Sequence, residues 1–215
     1  MDKGFIFDLD GVIVDTAKYH FIAWKRLADE LGIDFTEADN ERLKGVSRMR
    51  SLDILLEIGA VSLDDQEKIK LATQKNDWYV EFIHQMSPNE ILPGAQDFLE
   101  TSKQLGIKVA LGSASKNAML ILDRLNITRQ FDAIIDGTKV SNAKPDPEVF
   151  LMGAQALGLR PEQCLVFEDA EAGVQAAHNA NMKCIGIGSP EILKQANLVV
   201  AGLDQIGVNE AVQLI

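Results

Sequence analysis

The feature that most constrains the fold is an apolar run near the start of the chain that ends on acidic residues. The run Phe5–Phe7 is followed by Asp8, Asp10 and Gly11, which is typical of a strand buried on both faces of a parallel sheet. Because side chains alternate along a strand, Asp8 and Asp10 are predicted to share one side. Gly11 permits a sharp exit from the strand. Open α/β sheets bind ligands at this carboxyl edge, so the sequence predicts a site here.

Helix and strand patterns divide the chain into an all-helical part and an alternating part. About four helical patterns lie within residues 16–87, and strand patterns resume only at residue 107. Strands and helices then alternate, which is typical of a doubly wound parallel sheet. We therefore predict an α/β fold, with a Rossmann-like parallel-sheet core domain at residues 1–15 and 88–215 and an inserted all-helical cap domain at residues 16–87. Such a cap can exclude water from a site at the strand ends.

The overall charge restricts the partners that this chain can bind. The 215 residues carry a formal net charge of −11, which argues against nucleic acid or an anionic membrane as the main partner. A small anionic substrate remains compatible, because a local basic cluster can override the global sign. The apolar runs are shorter than a membrane span, and the start lacks a signal-peptide pattern. We expect a cytoplasmic monomer, and we expect Cys164 and Cys184 to be buried free thiols.

The acidic residues after the first strand suggest metal-assisted chemistry. As a bare pair, Asp8 and Asp10 would repel each other, and Mg²⁺, which takes oxygen ligands, would remove that repulsion. With a metal bound, one carboxylate can attack phosphorus while its neighbour moves a proton. The alternative is that both are ordinary strand-end acids in a turn.

Two later strand patterns also end on polar residues. Ser113 lies two residues after the pattern at residues 107–111, where its hydroxyl could bind a phosphate oxygen beside the backbone N–H groups of a following helix. A serine at this point could equally be the N-cap of that helix. Glu168 and Asp169 end the pattern at residues 164–167. Asp169 could instead cap the next helix, so the residues alone leave both alternatives open.

A lysine lies in the string Lys-Pro-Asp-Pro at residues 144–147. Pro145 disfavours helix at Lys144, and Pro147 suits the first turn of a following helix. A lysine held there could neutralise the charge that spreads over phosphoryl oxygens. Taken alone, the string is more typical of a solvated loop.

In chain order, these four motifs resemble those of the haloacid dehalogenase-like phosphotransferases. The resemblance implies that Asp8 is the nucleophile that becomes phosphorylated, that Asp10 is the general acid/base, and that Lys144 bridges the nucleophile and the phosphate. Ser113 and Ala114 would bind the transferring phosphoryl group. The implied cofactor is Mg²⁺, and the implied metal site consists of Asp8, Asp10 through its backbone carbonyl, Glu168 and Asp169.

Residues 42–50 carry four basic side chains although the protein is acidic overall. A concentrated positive patch would suit a substrate with a second phosphate, whereas the ordinary alternative is a basic surface helix that balances nearby acids. Three strings, at residues 44–51, 15–20 and 75–76, resemble those of the β-phosphoglucomutase branch of the same family. The resemblance implies that Arg48 holds the non-transferring phosphate. Thr16 and His20 would join the catalytic set. The implied substrate-binding residues are Lys44, Gly45, Val46, Ser47, Arg48, Ser51, Lys75, Asn76, Ser115, Lys116 and Asn117.

The resemblance implies an Mg²⁺-dependent intramolecular phosphotransferase of the isomerase class that acts on a small sugar phosphate. Phosphorylated Asp8 would phosphorylate the 6-hydroxyl of β-D-glucose 1-phosphate. The resulting β-glucose 1,6-bisphosphate would return its 1-phosphate to Asp8, and glucose 6-phosphate would leave. The alternative is a sugar-phosphate or phosphoglycolate-type phosphatase, which shares every core motif but releases free phosphate.

Overall fold

The computed structural model describes residues 2–43 and 46–215, in which helices and strands follow the predicted order. The strands are β1 (Gly4–Phe7), β2 (Lys108–Gly112), β3 (Ala133–Ile135), β4 (Cys164–Glu168), β5 (Lys183–Ile187) and β6 (Leu198–Val200). The α-helices are α1 (Ala17–Leu31), α2 (Glu37–Glu41), α3 (Arg48–Ile58), α4 (Asp65–Gln85), α5 (Ala95–Gln104), α6 (Ala118–Arg124), α7 (Glu148–Leu157), α8 (Glu171–Asn179) and α9 (Val208–Val212).

The strands form one parallel six-stranded sheet in the order β3-β2-β1-β4-β5-β6. The chain builds outward from β1 to β3 on one side, then crosses back and builds outward from β4 to β6 on the other. The order therefore reverses between β1 and β4, and the crevice at such a switch point is where open α/β sheets bind ligands. The predicted doubly wound fold is confirmed.

An aromatic cluster fixes β1 against its neighbours. Phe5 and Phe7 are fully buried, and the Phe7 ring stacks on the Phe167 ring of β4 with centroids 4.5 Å apart. Phe98 of α5 packs against the same three rings. Burying each ring contributes on the order of 2 kcal/mol, so the strand end that follows Phe7 is held in a rigid position.

The chain separates into two compact units. One contains the residues up to Asp15 together with Ser87–Ile215, and the other is Thr16–Met86. The first unit holds the whole sheet, and the second consists of α1 to α4. In the described part of the chain, no helix is both long and apolar enough to cross a bilayer.

Short bridges join the two chain segments of the first unit that flank the second unit. Val14 pairs in parallel with Asp10 and antiparallel with Ile91. The Leu92 amide also donates to the Ile13 carbonyl at 2.9 Å. The chain therefore leaves the first unit and re-enters it at neighbouring points.

The last helix is short. It is α9, which ends at Val212, and the chain continues to Ile215 without helix. The Lys3 amine donates to the carbonyls of Val212 and Ile215. This lysine satisfies carbonyls that a continuing helix would otherwise leave exposed at its end.

Candidate active site

Asp8 occupies the first position after β1, at the switch point of the sheet. Its amide donates to the Phe167 carbonyl at 2.9 Å, so the backbone ladder with β4 extends one residue beyond the strand. The Asp8 side chain is buried, with 7% of the residue exposed. Gly11 then turns the chain with φ +74°, and a Cβ placed there would lie 2.1 Å from Asp169 Oδ2. Glycine is thus required at position 11 for the two acidic strand ends to approach each other.

A buried lysine joins two of the acidic side chains. Lys144 Nζ donates to Asp8 Oδ1 at 2.5 Å and to Glu168 Oε2 at 2.9 Å, and only 5% of Lys144 is exposed. The solvated-loop alternative for Lys144 is therefore wrong. The ammonium also faces the Phe150 ring of α7, 4.8 Å from the ring centroid, which stabilises a cation in a dry site.

Burial and charge act in opposite directions on this lysine. Burial lowers the pKa of Lys144, but the Asp8 and Glu168 carboxylates outweigh it and hold that pKa above its ordinary value. Burial raises the pKa of Glu168, and repulsion from Asp8 raises it further despite the attraction of Lys144. One ammonium thus partly compensates two buried carboxylates, and Asp169 lies beside them.

The acidic group has the chemistry of a metal site. Single carboxylate oxygens of Asp8, Glu168 and Asp169 all lie within 4.8 Å of one another. Hard divalent cations take oxygen ligands of this kind, and a dication would offset the negative charge that Lys144 leaves uncompensated. Three of the four predicted metal ligands are thus brought together. The fourth, Asp10, was predicted to bind through its backbone carbonyl, and that role stays a prediction.

The loop after β2 is shaped by successive serine hydroxyls. The Ser113 amide donates to the Ile135 carbonyl at 2.9 Å, which ties the loop to β3. Ser113 Oγ accepts from the Ser115 amide at 3.1 Å, and Ser115 Oγ accepts from the Asn117 amide at 3.2 Å. The N-cap of α6 is Asn117, so the alternative that Ser113 caps this helix is wrong. Ala114 is half-buried and Lys116 is exposed.

The alternative that Asp169 caps α8 is also wrong. That helix begins at Glu171 and its N-cap is Ala170. Gly173, in the first turns of α8, lies against Glu168, since a Cβ there would come within 2.0 Å of the glutamate side chain. The helix backbone therefore packs directly on the buried acid.

Sequence reasoning missed the contacts that hold the Lys144 loop. Glu148 Oε2 accepts from the amides of Ser141 and Asn142 at 3.0 and 2.7 Å. Asn179, at the end of α8, donates from Nδ2 to the Pro145 carbonyl at 2.9 Å. The loop is therefore fastened on both sides of the lysine. No local pattern in the sequence indicates these contacts.

In the second unit, the predicted residues His20 and Lys75 contact each other. Lys75 Nζ lies 2.7 Å from His20 Nδ1, and 2% of Lys75 is exposed. Burial lowers the pKa of His20 well below its ordinary value, and the positive charges of Lys75 and Arg48 lower it further. Thr16 is fully buried at the N-cap position of α1.

The remaining predicted residues of the second unit lie near α3 and α4. Ser47 is the N-cap of α3, and its side chain accepts from the Arg50 amide at 3.3 Å. Arg48 opens α3 and is half-buried, while Arg50 is exposed and pairs with Glu57 at 2.6 Å. For Arg50, the ordinary alternative of a basic surface residue that balances a nearby acid is therefore correct. The structure places the remaining predictions as follows: Ser51 is buried in α3, Val46 and Asn76 are half-buried, and Lys44 and Gly45 lie outside the described residues.

At the switch point of the doubly wound sheet, one buried lysine thus contacts two carboxylates, and a third acid lies beside them. The chain belongs to the haloacid dehalogenase-like hydrolase family, whose model matches residues 3–181. This confirms the resemblance drawn from the motifs.

Within this family, the chain is similar to both mutases and phosphatases. The chain is 44% identical over 200 residues to β-phosphoglucomutase of Bacillus subtilis (strain 168), covering 92% of this chain and 88% of the relative. The crystal structure of a β-phosphoglucomutase from Clostridium difficile superposes with a TM-score of 0.95 at 47% identity, over 100% of this chain and 97% of the other. A phosphorylated carbohydrates phosphatase of Thermotoga maritima is 36% identical over 182 residues, 84% of this chain and 82% of the relative.

Proposed function

We propose that this protein is a β-phosphoglucomutase that interconverts β-D-glucose 1-phosphate and glucose 6-phosphate. The observation that carries the proposal is the contact of Lys144 with both Asp8 and Glu168 at the switch point of the sheet. It supports phosphoryl transfer to Asp8. Similarity to β-phosphoglucomutases over nearly the whole chain supports the mutase among the activities of the family.

Phosphoryl transfer from the sugar to the enzyme would use the Asp8 carboxylate as nucleophile. A carboxylate oxygen forms a bond to phosphorus while the bond between phosphorus and the sugar oxygen breaks. Lys144 is already placed on Asp8, so its ammonium can stabilise charge on the phosphoryl oxygens without rearrangement. Ser113 and the backbone of Ala114 would bind the same oxygens. Mg²⁺ held by Asp8, Glu168, Asp169 and the Asp10 carbonyl would supply the charge neutralisation that lets two anions approach.

Proton movement would fall to Asp10. When the phosphoryl group passes from Asp8 to the 6-hydroxyl of the sugar, Asp10 accepts the hydroxyl proton. After β-glucose 1,6-bisphosphate has reoriented, Asp8 takes its 1-phosphate and Asp10 returns the proton to the sugar oxygen. The cycle then restores phosphorylated Asp8 and releases glucose 6-phosphate.

The second unit would supply binding of the phosphate that is not being transferred. Arg48 is the central candidate, because it is half-buried and its charge reaches His20. A guanidinium binds phosphate in a bidentate manner. Lys44, Gly45, Val46, Ser47, Ser51, Asn76, Ser115, Lys116 and Asn117 are proposed to complete the substrate contacts.

A mutase must also prevent water from hydrolysing phosphorylated Asp8. We propose that Asp15, His20 and Lys75 couple closure to the presence of sugar, so that Asp10 is aligned only when substrate is bound. A His20→Ala variant should then release more free phosphate per mutase turnover. An unchanged ratio would contradict this gating role.

The second candidate function is a sugar-phosphate phosphatase, which the similarity to the Thermotoga maritima enzyme favours. One assay separates the two. Purified protein with Mg²⁺ and a trace of β-glucose 1,6-bisphosphate is given β-glucose 1-phosphate or its α-anomer, and glucose 6-phosphate and free phosphate are both measured. We expect glucose 6-phosphate from the β-anomer only, and an inactive Asp8→Asn control. Free phosphate as the dominant product would establish the phosphatase.

We further propose that the enzyme acts as a cytoplasmic monomer on a small sugar phosphate, without a nucleic-acid or membrane partner. The acidic net charge of −11 supports the last two points. Sedimentation of the purified protein at micromolar concentration tests the oligomeric state.

A further inference from the structure

Two aromatic rings surround the Lys75 ammonium inside the second unit. Lys75 Nζ lies 4.5 Å from the centroid of the Trp24 ring and 4.8 Å from that of the Tyr79 ring. The Tyr79 ring also stacks on the His20 imidazole, with centroids 3.9 Å apart and planes inclined by 25°. Tyr79 is 1% exposed. One ring thus contacts both partners of the His20–Lys75 hydrogen bond.

The contacts determine which partner donates in that hydrogen bond. A lysine ammonium has three donors and no acceptor, so His20 Nδ1 must accept from it. An imidazole that accepts at Nδ1 and is neutral carries its proton on Nε2. The opposite arrangement, with Nδ1–H donating to a neutral amine, would place an uncharged amine against two ring faces and lose both cation–π interactions.

We propose that Tyr79 is a positioning residue that holds Lys75 and His20 together, and that it thereby fixes His20 as the Nε2–H tautomer. His20 then serves as a hydrogen-bond donor through Nε2 rather than as a proton acceptor. The tautomer follows from contacts within the second unit alone, whereas its effect on turnover rests on the proposed mutase function.

Electrostatics support the neutral form of this histidine. Burial lowers the pKa of His20, and the positive charges of Lys75 and Arg48 lower it further. The same charges favour a ring whose lone pair, rather than its N–H, points at Lys75.

Nitrogen-15 NMR of the histidine side chains tests the tautomer without substrate. The chain has three histidines, so a His20→Gln spectrum assigns the His20 signals. At neutral pH we expect a non-protonated Nδ1 and a protonated Nε2 in the wild type. Tyr79→Phe, which keeps the ring, should preserve this pattern, whereas Tyr79→Leu and Lys75→Met should mix the tautomers. A wild-type His20 that is protonated on Nδ1, or an unchanged Tyr79→Leu spectrum, would overturn the proposal.

A kinetic measurement tests the positioning role. In Tyr79→Leu, the ratio of glucose 6-phosphate to free phosphate should fall by about tenfold, since a displacement of ~1 Å can cost as much as ~10²-fold in rate. Tyr79→Phe should restore the ratio. Ile83→Ala, a buried truncation on the same helix, controls for lost stability and should keep the wild-type spectrum and ratio.

The outcomes separate this proposal from the proposed function. If the Tyr79→Leu spectrum changes but the product ratio does not, Tyr79 is not a positioning residue for turnover. If the wild type makes no glucose 6-phosphate at all, the mutase function fails and the positioning role fails with it, while the NMR pattern still decides the tautomer.

Discussion

Replacing Lys144 with methionine tests whether the buried acidic site depends on one ammonium for its stability. Methionine keeps most of the side-chain volume and removes the charge. Asp8 and Glu168 would then remain buried, at 7% and 1% exposed, without the donor that now contacts both. Each hydrogen bond to a charged group contributes about 1.5–3 kcal/mol, and removing one partner of a buried ion pair costs about 3–5 kcal/mol. We therefore expect Lys144→Met to lose about 3–5 kcal/mol of unfolding free energy at neutral pH without metal.

This loss should depend on pH in a defined direction. Burial and repulsion from Asp8 raise the pKa of Glu168 in the folded protein, and Lys144 lowers it. Without the lysine, the folded chain binds a proton at position 168 more readily than the unfolded chain does. Unfolding free energy of the variant should thus rise as pH falls from neutral through the raised pKa, and the gain is complete below the ordinary pKa of glutamate. Divalent metal should also restore part of the loss.

Urea unfolding measures the effect, with each transition followed by two probes. Both tryptophans, Trp24 and Trp78, lie in the second unit, so fluorescence follows that unit and far-UV circular dichroism follows both. Lys144 lies in the first unit. The lost unfolding free energy should therefore appear as a shift of the dichroism transition that is absent from the fluorescence transition. Lys183→Met, at an exposed lysine of β5, should change stability by less than about 0.5 kcal/mol. A loss below about 1 kcal/mol for Lys144→Met, or a loss that does not shrink on acidification, would refute the reasoning.

Three further predictions follow from the described contacts. Gly11→Ala should weaken Mg²⁺ binding in calorimetry, because the new Cβ would collide with Asp169 Oδ2; unchanged affinity would contradict the close approach. Burial raises the pKa of the Cys164 thiol to about 11 and that of Cys184 higher still, so both should resist a thiol reagent until urea unfolds the chain, and rapid labelling of native protein would count against their burial. Glu148→Ala should lower kcat by about tenfold with little change in KM, since a loosened loop displaces Lys144, which is proposed to stabilise the transferring phosphoryl group; equal rates for variant and wild type would show that the loop holds its position without this carboxylate.

The sheet and its strand-end motifs were predictable because the signals are local. Phe5–Phe7 runs directly into Asp8, and the β4 pattern runs directly into Glu168 and Asp169, so each apolar strand carries its own site residue. Parallel pairing then places these ends at one edge regardless of the distance along the chain.

The supporting contacts were not predictable, because they join helices to loops through space. Nothing in the sequence shows that Glu148 turns back to the amides of Ser141 and Asn142, or that the Phe150 ring lies beside Lys144. Tyr79 lies four residues after Lys75 on one helix face, which was a usable signal. An aromatic residue at that spacing more commonly belongs to the core, so the pattern alone did not distinguish the two roles.

The bridges at Val14 bear on how such a chain can acquire new specificity. Ile13 and Leu92 are hydrogen-bonded neighbours although 78 intervening residues separate them. Because the segment between them starts and ends at adjacent positions, it can be lengthened, shortened or exchanged while the first unit keeps every sheet contact. The entropic cost of closing such a loop grows only with the logarithm of its length. With the proposed division of roles, substrate choice and phosphoryl chemistry can therefore change independently, and a short turn grafted between Ile13 and Leu92 should leave a sheet that still folds.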